Sequence, residues 1–193
     1  MQIRDYRKAD EEGWLRCRVL AFLHTAYYDD VYREKDHYEH PSIELVAEAG
    51  SQIVGLIDVE CETARGTVCA ECSSLGAMVW HLAVHPDFQR CGIGEALLRE
   101  AERRLLNRQI FQLEAYTRDD DWVNRWYAKN GFRETSHYLH VFMEADELAP
   151  YVVSTERTFK PITCFAHYAG KAEDGVKSTF RRVHECRCYR KDL

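Results

Sequence analysis

The alternation of apolar and polar positions divides most of the chain into short strands and helices. Apolar residues recur at helical spacing in three segments, residues 10–26, 94–108 and 119–130. Runs typical of strands lie around them, at residues 1–6, 43–49, 52–61, 77–85, 110–116 and 132–143. The order β-α-β-β-β-α-β-α-β predicts an α/β protein with a mixed central sheet and helices on both faces.

Local turn signals support this order of elements. Gly50 and Ser51 separate two strand-like runs and predict a tight hairpin turn between them. The run at 77–85 is mostly apolar, as expected for a strand that is buried on both faces. Gly131 follows the third helical segment, and glycine suits the left-handed residue just past a helix end.

The C-terminal quarter is less regular. Residues 145–179 contain two prolines and two glycines, and a last strand is predicted at 183–189. A chain of 193 residues is suited to one domain with a sizeable core. We therefore interpret residues 1–193 as a single domain, with 145–179 inserted before the last strand. Two roles stay open for the insertion: it covers a substrate site, or it forms the contact of a homodimer.

Composition excludes several classes of partner. Apolar residues make up 46% and charged residues 30%, and the formal net charge is −6. A nucleic-acid binder normally carries a basic stripe, which this balance argues against. No apolar run approaches the roughly 20 residues that span a bilayer, and the first residues lack the apolar core of a signal peptide. We expect a cytoplasmic protein with no nucleic-acid and no membrane partner.

The eight cysteines are expected to be free thiols, because no secretory signal accompanies them. Cys69 and Cys72 form a Cys-x-x-Cys pair, which is half of a common zinc-site pattern. No second pair with suitable spacing follows. The prediction is therefore that the protein holds no metal.

Residues 82–98 carry the strongest chemical signal. A buried strand runs into a turn at Pro86, and Gly92 and Gly94 then open an amphipathic helix. The first N–H groups of a helix have no internal partner, so such a glycine-lined helix start forms a cradle for phosphate groups. A Walker loop would need Gly-Lys-Ser/Thr, and a Rossmann fingerprint would need glycine where Leu97 stands.

The wider pattern resembles the GNAT N-acetyltransferases. Gln89, Gly92 and Gly94 fill the defining positions of that family's motif A, Q/R-x-x-G-x-G/A after a strand ending in Leu-Ala-Val-x-Pro. Residues 124–132, Asn-Arg-Trp-Tyr-Ala-Lys-Asn-Gly-Phe, resemble its motif B. The two motifs stand in the family's order, separated by a helix and a strand. The element order resembles the family over residues 1–144.

The resemblance implies a fold, a co-substrate and an activity. In the family, the strand before the phosphate loop splays from its neighbour, and its backbone binds the pantetheine arm and the acetyl carbonyl. Leu82, Ala83 and Val84 match that strand, and Asn124 matches a position that contacts the cofactor arm. The loop residues implied to hold acetyl-CoA are Gln89, Arg90, Cys91, Gly92, Ile93 and Gly94. The implied reaction is transfer of an acetyl group to a primary amine, expected to belong to a small molecule.

Tyr127 matches the family tyrosine that lies near the sulfur of CoA and protonates the leaving thiolate. A phenol is a workable general acid for this step. The same residue also falls at helical spacing with Trp122, Val123 and Trp126, so a core aromatic role stays open.

The reaction is expected to be direct attack by a neutral amine, which needs an acceptor for the amine proton. His81, Glu114 and Glu71 are the candidate bases, and His81 and Glu114 have a purely structural interpretation as well. Cys91 at the start of a helix is an alternative nucleophile, but no Cys/His/Asp constellation accompanies it.

The acceptor site is expected near two aromatic clusters. One follows the first helix and includes Tyr27, Tyr28, Asp29, Asp30, Tyr32, His37 and Tyr38. The other comprises Tyr138, His140, Phe159, Phe165, His167 and Tyr168. Three other hypotheses stay open: a peptide or protein acceptor, a non-catalytic acyl-CoA-binding module, and a redox or metal protein that uses its cysteines.

Overall fold

The computed structural model describes residues 1–156 and 158–193. Within them, four α-helices are α1 (Glu11–Phe22), α2 (Ile93–Asn107), α3 (Asp121–Lys129) and α4 (Glu173–Thr179). Eight strands form one sheet: β1 (Gln2–Asp5), β2 (Ser42–Ala49), β3 (Gln52–Cys61), β4 (Gly76–Val84), β5 (Gln112–Thr117), β6 (Arg133–Glu144), β7 (Thr163–Tyr168) and β8 (Arg182–Asp192). No helix in these residues is both long and apolar enough to cross a membrane.

The sheet is mixed, as the sequence predicts. Its strand order is β1-β2-β3-β4-β5-β8-β6-β7. The neighbours β4 and β5 run parallel, and the other described neighbours run antiparallel. Because β8 inserts between β5 and β6, the C-terminal residues complete the interior of the sheet rather than its edge.

Helices cover both faces of the sheet, which confirms the predicted layers. The apolar stripe of α2 buries Leu97, Leu98 and Ala101 against one face. Trp14 and Cys17 of α1 are buried against the opposite face. Burial of each large apolar side chain contributes about 1.5–3 kcal/mol. The two helices therefore fix β2, β3 and β4 between them.

A one-residue bulge interrupts β4 at Trp80. Val79 pairs with Val59, and His81 pairs with Asp58, so Trp80 has no partner across the ladder. Side chains alternate between the faces of a strand, and the extra residue shifts that alternation by one. Val79 belongs to the core under α2, whereas Ala83 belongs to the core under α1.

Beyond the bulge, β4 separates from β5. The parallel pairing runs only from Gly76 opposite Gln112 to Val79 opposite Ala115, although β4 continues to Val84. The remaining residues of β4 pair on one side only, with β3. The splay between the two parallel strands, which the family resemblance implies, is therefore present.

The segment 145–179 is more ordered than its sequence indicates. It contains β7, which pairs with β6 at the sheet edge, and the short helix α4. Its apolar residues, among them Leu148 and Ala166, form a separate core with β6. β7 could not be predicted from the alternation of apolar and polar residues, because apolar side chains lie on both of its faces. Its role as an insertion in a single domain stays a prediction.

A buried lysine anchors the connection between α1 and β2 to the sheet. The Lys35 ammonium lies 2.8 Å from Asp58 and 2.6 Å from Glu44, and the side chain is 2% exposed. It also lies 4.8 Å from the ring centre of Tyr38, whose hydroxyl donates to Asp58. Burial raises the pKa of Asp58, and the charge of Lys35 opposes that rise. A buried charge is tolerable only when it is paired in this way.

Replacement of Lys35 by methionine is expected to lower the free energy of unfolding by about 3–5 kcal/mol, because Asp58 would stay buried without its cation. Urea unfolding measures this loss. Lys129→Met is the matched control, since Lys129 is 74% exposed and pairs with Glu95 at the surface. That change should cost less than about 1 kcal/mol. Equal losses in the two variants would contradict a buried ion pair at Lys35.

Candidate active site

The turn after β4 is held by contacts that leave its main chain free. Gln89 donates from Nε2 to the carbonyl of Val84 at 3.1 Å, which ties the loop to the end of the strand. Arg90 and Gly92 both adopt left-handed backbone conformations, with φ of 61° and 79°. A Cβ at Gly92 would meet no atom within 4 Å, so glycine is needed there for its conformation rather than for space.

These conformations leave a run of backbone donors without acceptors. No described residue accepts a hydrogen bond from the N–H groups of residues 90–94. The last of them open α2, so they lie at the positive end of its dipole. Successive free N–H groups at a helix start bind phosphate oxygens. The loop can therefore hold a pyrophosphate without any basic side chain.

The strand residues Leu82, Ala83 and Val84 do not all face the gap between β4 and β5. The N–H of His85 donates to Val54 on β3, and backbone groups point alternately to the two sides of a strand. The N–H and carbonyl groups of Val84 and Leu82 therefore point into the gap, and those of Ala83 point to β3. The carbonyl of Val84 is occupied by Gln89.

Tyr127 lies on α3 and packs against Tyr189 of β8, the strand next to β5. Its ring stacks on Tyr189 at 5.3 Å and meets Phe132 edge-on at 5.1 Å. No described residue forms a hydrogen bond with its hydroxyl, and the nearby side-chain oxygen of Asn124 is taken by Tyr189. Burial raises the pKa of Tyr127, so the phenol keeps its proton. Tyr127 is therefore a core aromatic residue, as its helical spacing indicates. Its protonated hydroxyl is also compatible with the role of general acid, which stays a prediction.

Asn124, one turn before Tyr127, is already occupied. Its amide nitrogen donates to the carbonyls of Arg118 and Asp120, each at 3.0 Å. Its side-chain oxygen accepts from the hydroxyl of Tyr189 at 2.9 Å. These bonds fix the start of α3 and the orientation of Tyr189. The contact of Asn124 with a cofactor arm stays a prediction.

His81 is a buried histidine with both ring nitrogens engaged. Arg18 donates from Nε to Nδ1 at 3.3 Å, so the ring proton lies on Nε2 and is shared with Asp36 at 2.8 Å. The hydrogen bond from His81 lowers the pKa of Asp36. The bulge at Trp80 is what turns this histidine towards α1, where it meets Trp14 edge-on.

Glu114 is sealed beneath the loop between β3 and β4. Its side chain is 0% exposed, and its two oxygens accept the N–H groups of Ala70 and Glu71 at 3.1 and 2.8 Å. Glu71 in turn accepts a hydrogen bond from Ser136. The carboxylates of Glu114 and Glu71 therefore hold the loop between β3 and β4 in place. For Glu114, this is the purely structural role that the sequence leaves open beside the role of a base.

The aromatic cluster after α1 is engaged mainly in anchoring contacts. The Tyr27 hydroxyl accepts the N–H of Arg118, and the ring of Tyr32 lies against Arg18 and His81. Asp29 and Asp30 form ion pairs with arginines. Tyr28 is exposed and lies against Arg182.

A shallow concavity of about 300 Å³ lies beside the bulge. Three carboxylates, Asp36, Glu39 and Glu60, line it together with Tyr38 and Trp80. The Trp80 indole donates to Glu60 at 2.7 Å. The sequence indicated His37 and Tyr38 here but not Trp80, which is exposed at the bulge, or Glu60, which is 7% exposed beneath it. Neither residue is marked by a periodic signal, because both depend on the pairing of β3 with β4.

The second aromatic cluster is partly assembled. His140 stacks on His167 at 4.7 Å, and Tyr138 and Phe165 lie against these rings on the same face of β6 and β7. Tyr168 packs on the opposite face, and Phe159 is exposed outside the cluster. Four of the six residues therefore share one surface, since neighbouring residues of a strand point to opposite faces, and the role of this stretch as a wall of the acceptor site stays a prediction.

His140 is neutral in this setting. Burial, followed by the charge of Arg118, lowers its pKa from 6.5 to about 3. Arg118 donates from Nε to Nδ1 at 3.0 Å, so Nε2 carries the ring proton. No described residue accepts a hydrogen bond from this buried Nε2.

The family model for the acetyltransferase (GNAT) domain matches residues 40–134. A curated acetyltransferase of Pectobacterium atrosepticum is 31% identical over 134 residues, which cover 67% of this chain and 85% of the relative.

Solved structures share the fold. The PaiA N-acetyltransferase of Thermoplasma acidophilum, crystallised with coenzyme A, is 21% identical with a TM-score of 0.53, over 69% of this chain and 90% of that one. A ribosomal-protein-alanine N-acetyltransferase of Brucella melitensis is 16% identical with a TM-score of 0.59, over 100% of both chains. At such identities the likeness is one of fold alone.

The neutral state of His140 predicts a loss of stability in mild acid. The unfolded chain takes up a proton at this residue below pH 6.5, whereas the folded chain does so only near pH 3. Through His140 alone, acidification from about pH 7.5 to about pH 5 should remove about 2 kcal/mol from the free energy of unfolding. Urea titrations at both pH values measure this.

His140→Gln keeps an acceptor for Arg118 but does not titrate. This variant should therefore lose about 2 kcal/mol less than the wild type over the same pH interval. The groups that face His140, among them His167, His184 and Asp119, contribute equally to both proteins and cancel. Equal losses would show that His140 is already protonated in the folded protein.

Proposed function

The chain belongs to the GNAT acetyltransferase family, and from this membership we propose that it moves the acetyl group of acetyl-CoA to the primary amine of a small cationic molecule. The observation that carries the proposal is the run of free N–H groups at residues 90–94, directly beside the open side of β4. The loop would hold the pyrophosphate, and the gap would admit the pantetheine arm. The co-substrate would thus lie between β4 and β5.

The backbone of β4 would orient the thioester. The groups of Leu82 and the N–H of Val84 point into the gap and would pair with the pantetheine arm and the acetyl carbonyl. Such donors stabilise the oxyanion that develops when an amine attacks a thioester. Ala83 would act only by holding the strand against β3.

Tyr127 would protonate the leaving thiolate. The family resemblance implies that its hydroxyl lies near the sulfur of CoA, and the phenol keeps its proton because burial raises its pKa. Attack of the amine nitrogen on the carbonyl carbon forms the C–N bond, and collapse breaks the C–S bond. The proton of Tyr127 passes to the sulfur, and the amine proton is lost on the opposite side.

The amine proton would leave through the acidic concavity. Asp36 lines this concavity and is hydrogen-bonded to His81, so the proton can pass to this pair or directly to water. Glu114 is less suited, because its carboxylate is sealed under the loop and already accepts two N–H groups. Cys91 is exposed, and its sulfur contacts only the carbonyl of Gln89 among the described residues. A covalent enzyme intermediate is not required.

The lining of the concavity supports a cationic acceptor. Asp36 and Glu39 would attract an ammonium group, and the exposed indole of Trp80 offers a cation–π contact. Glu60 and Tyr38 contribute less, because Glu60 already accepts two N–H groups and Tyr38 already faces Lys35. A peptide or protein amine is the second candidate, because the concavity is open at the surface and a relative with this fold is named for ribosomal-protein alanine. The homodimer and the cytoplasmic location stay predictions.

Acetyl transfer from acetyl-CoA to a panel of amines, followed by mass spectrometry of the products, tests this function. The panel contains polyamines, aminoglycosides, streptothricin-like lysyl compounds and short peptides. An acetylated small cation supports the proposal, whereas products from peptides alone would favour the second candidate. No product and no binding of acetyl-CoA would overturn both.

With the best acceptor, Tyr127→Phe should lower kcat by about 10²-fold, the range of a lost general acid, and leave acetyl-CoA affinity nearly unchanged. Isothermal titration and initial rates separate the two effects. Tyr151→Phe is the matched control, because Tyr151 is exposed and lies outside the site. An unchanged kcat in Tyr127→Phe would leave that residue a core aromatic only.

Gly92→Ala tests the phosphate loop. A side chain at φ 79° costs about 1 kcal/mol, which the loop can avoid only by turning its N–H groups. We expect acetyl-CoA to bind about 10-fold more weakly, equivalent to about 1.4 kcal/mol. Gly50→Ala is the control, since Gly50 has φ 64° and equally open space but lies in the β2–β3 turn. It should destabilise the fold comparably without loss of affinity.

A further inference from the structure

A cluster of buried sulfur and oxygen donors lies under the loop between β3 and β4. One donor atom from each of Cys69, Cys72 and Glu114 lies within 4.8 Å of the other two. The three residues are 4%, 5% and 0% exposed. They come from two parts of the chain, the loop and β5, so the cluster is a product of the fold rather than of sequence proximity.

The surrounding structure holds these donors in place. Glu62 accepts N–H groups on both sides of the pair, including those of Cys69 and Gly76. A Cβ at Gly76 would lie 2.5 Å from the sulfur of Cys72 and 3.0 Å from that of Cys69. Glycine at this position therefore leaves room for the two sulfurs. The backbone between the cysteines is fixed by the carboxylate of Glu114 itself.

Glu114 forms no direct ion pair with a described residue, and its cross-strand neighbour Arg190 donates to the carbonyl of Glu71 instead. No lysine, arginine or histidine of the described residues lies within 4.0 Å of its carboxylate. Its only described partners are the two N–H groups of Ala70 and Glu71. A buried carboxylate is usually paired with a cation or coordinates a metal ion. Each oxygen has a second lone pair left for that purpose.

We infer that Cys69, Cys72 and Glu114 bind a zinc ion. Two thiolates and a carboxylate are a donor set that Zn²⁺ accepts, and zinc sites with three protein ligands leave one position for water or another donor. The bound Zn²⁺ brings two positive charges, and the two protons lost from the thiols of Cys69 and Cys72 take two away. The net charge of the cluster therefore does not change. The buried site can therefore load without a new uncompensated charge.

The ion would clamp the loop between β3 and β4 onto β5. It would lie on the face of the sheet that is opposite to α2, which is also the face of His81. This site is separate from the phosphate loop, and it does not depend on the proposed reaction. A zinc ion at this site would contradict the prediction, made from the sequence, that the protein holds no metal. A second donor cluster, Glu134, His137 and Glu185, is mostly exposed and already forms ion pairs, so it serves as the comparison.

The test is metal analysis of the full chain, purified without an affinity tag that binds metal, under reducing conditions. Inductively coupled plasma mass spectrometry should find about one zinc per chain, and a chelator that removes it should lower the unfolding temperature. Titration of the zinc-free chain with Co²⁺ should give the intense charge-transfer absorption of cobalt–thiolate bonds. This signal reports thiolate ligation independently of any enzyme activity.

Cys69→Ser and Cys72→Ser should each reduce bound zinc at least about 10-fold. Glu114→Gln should also lower the affinity for zinc about 10-fold or more, because it removes a ligand. Cys61→Ser, a buried thiol outside the cluster, should keep full zinc content. Circular dichroism shows whether each variant is folded.

Four results would overturn the inference. The folded wild type binds neither Zn²⁺ nor Co²⁺. The double variant of Cys69 and Cys72 keeps its zinc. His137→Asn removes the zinc, which would place it at the exposed cluster. Mass spectrometry of the untreated chain finds Cys69 and Cys72 joined as a disulfide that no metal protects, which would make them a redox pair.

Discussion

The unpaired residue at Trp80 is the constraint on which the rest of the site depends. Without it, β4 would continue its pairing with β5, and His81 would point to the face under α2. The bulge instead ends the parallel ladder at Val79 and turns His81 towards Arg18 and Asp36. One additional residue therefore opens the gap, exposes the indole beside the acidic concavity and places a histidine behind it.

Buried charged side chains hold two irregular segments of the chain against the sheet and α1. The connection from α1 to β2 is held to the sheet by Lys35 between Asp58 and Glu44, and to α1 by the ion pair of Arg18 with Asp30. The loop from β3 to β4 is held in the same manner, because Glu62 and Glu114 accept its backbone N–H groups. Two irregular segments that border the site are thus fixed by polar side chains of the sheet and of α1.

The regular elements could be predicted from the sequence because helical and strand periodicities are local. The glycine-containing start of α2 could also be predicted, since Gly92 and Gly94 stand at fixed spacing before a helix. The bulge, the strand β7 and the occupied side chain of Asn124 could not, because each depends on a partner distant in the chain. Cys69 and Cys72 gave half of a ligand pattern, and only the fold supplies Glu114 as the third donor.

Under the proposed function, the loop at residues 90–94 would recognise its ligand through main-chain atoms, and this would have an evolutionary consequence. Selection would act there on the positive φ angles of Arg90 and Gly92, whereas the side chain of Cys91 is exposed and would be free to drift. Neutral substitutions can therefore accumulate around an unchanged binding function. Sequence identity between distant relatives would decay in this loop faster than its capacity to hold a nucleotide, leaving the glycines as its most durable record.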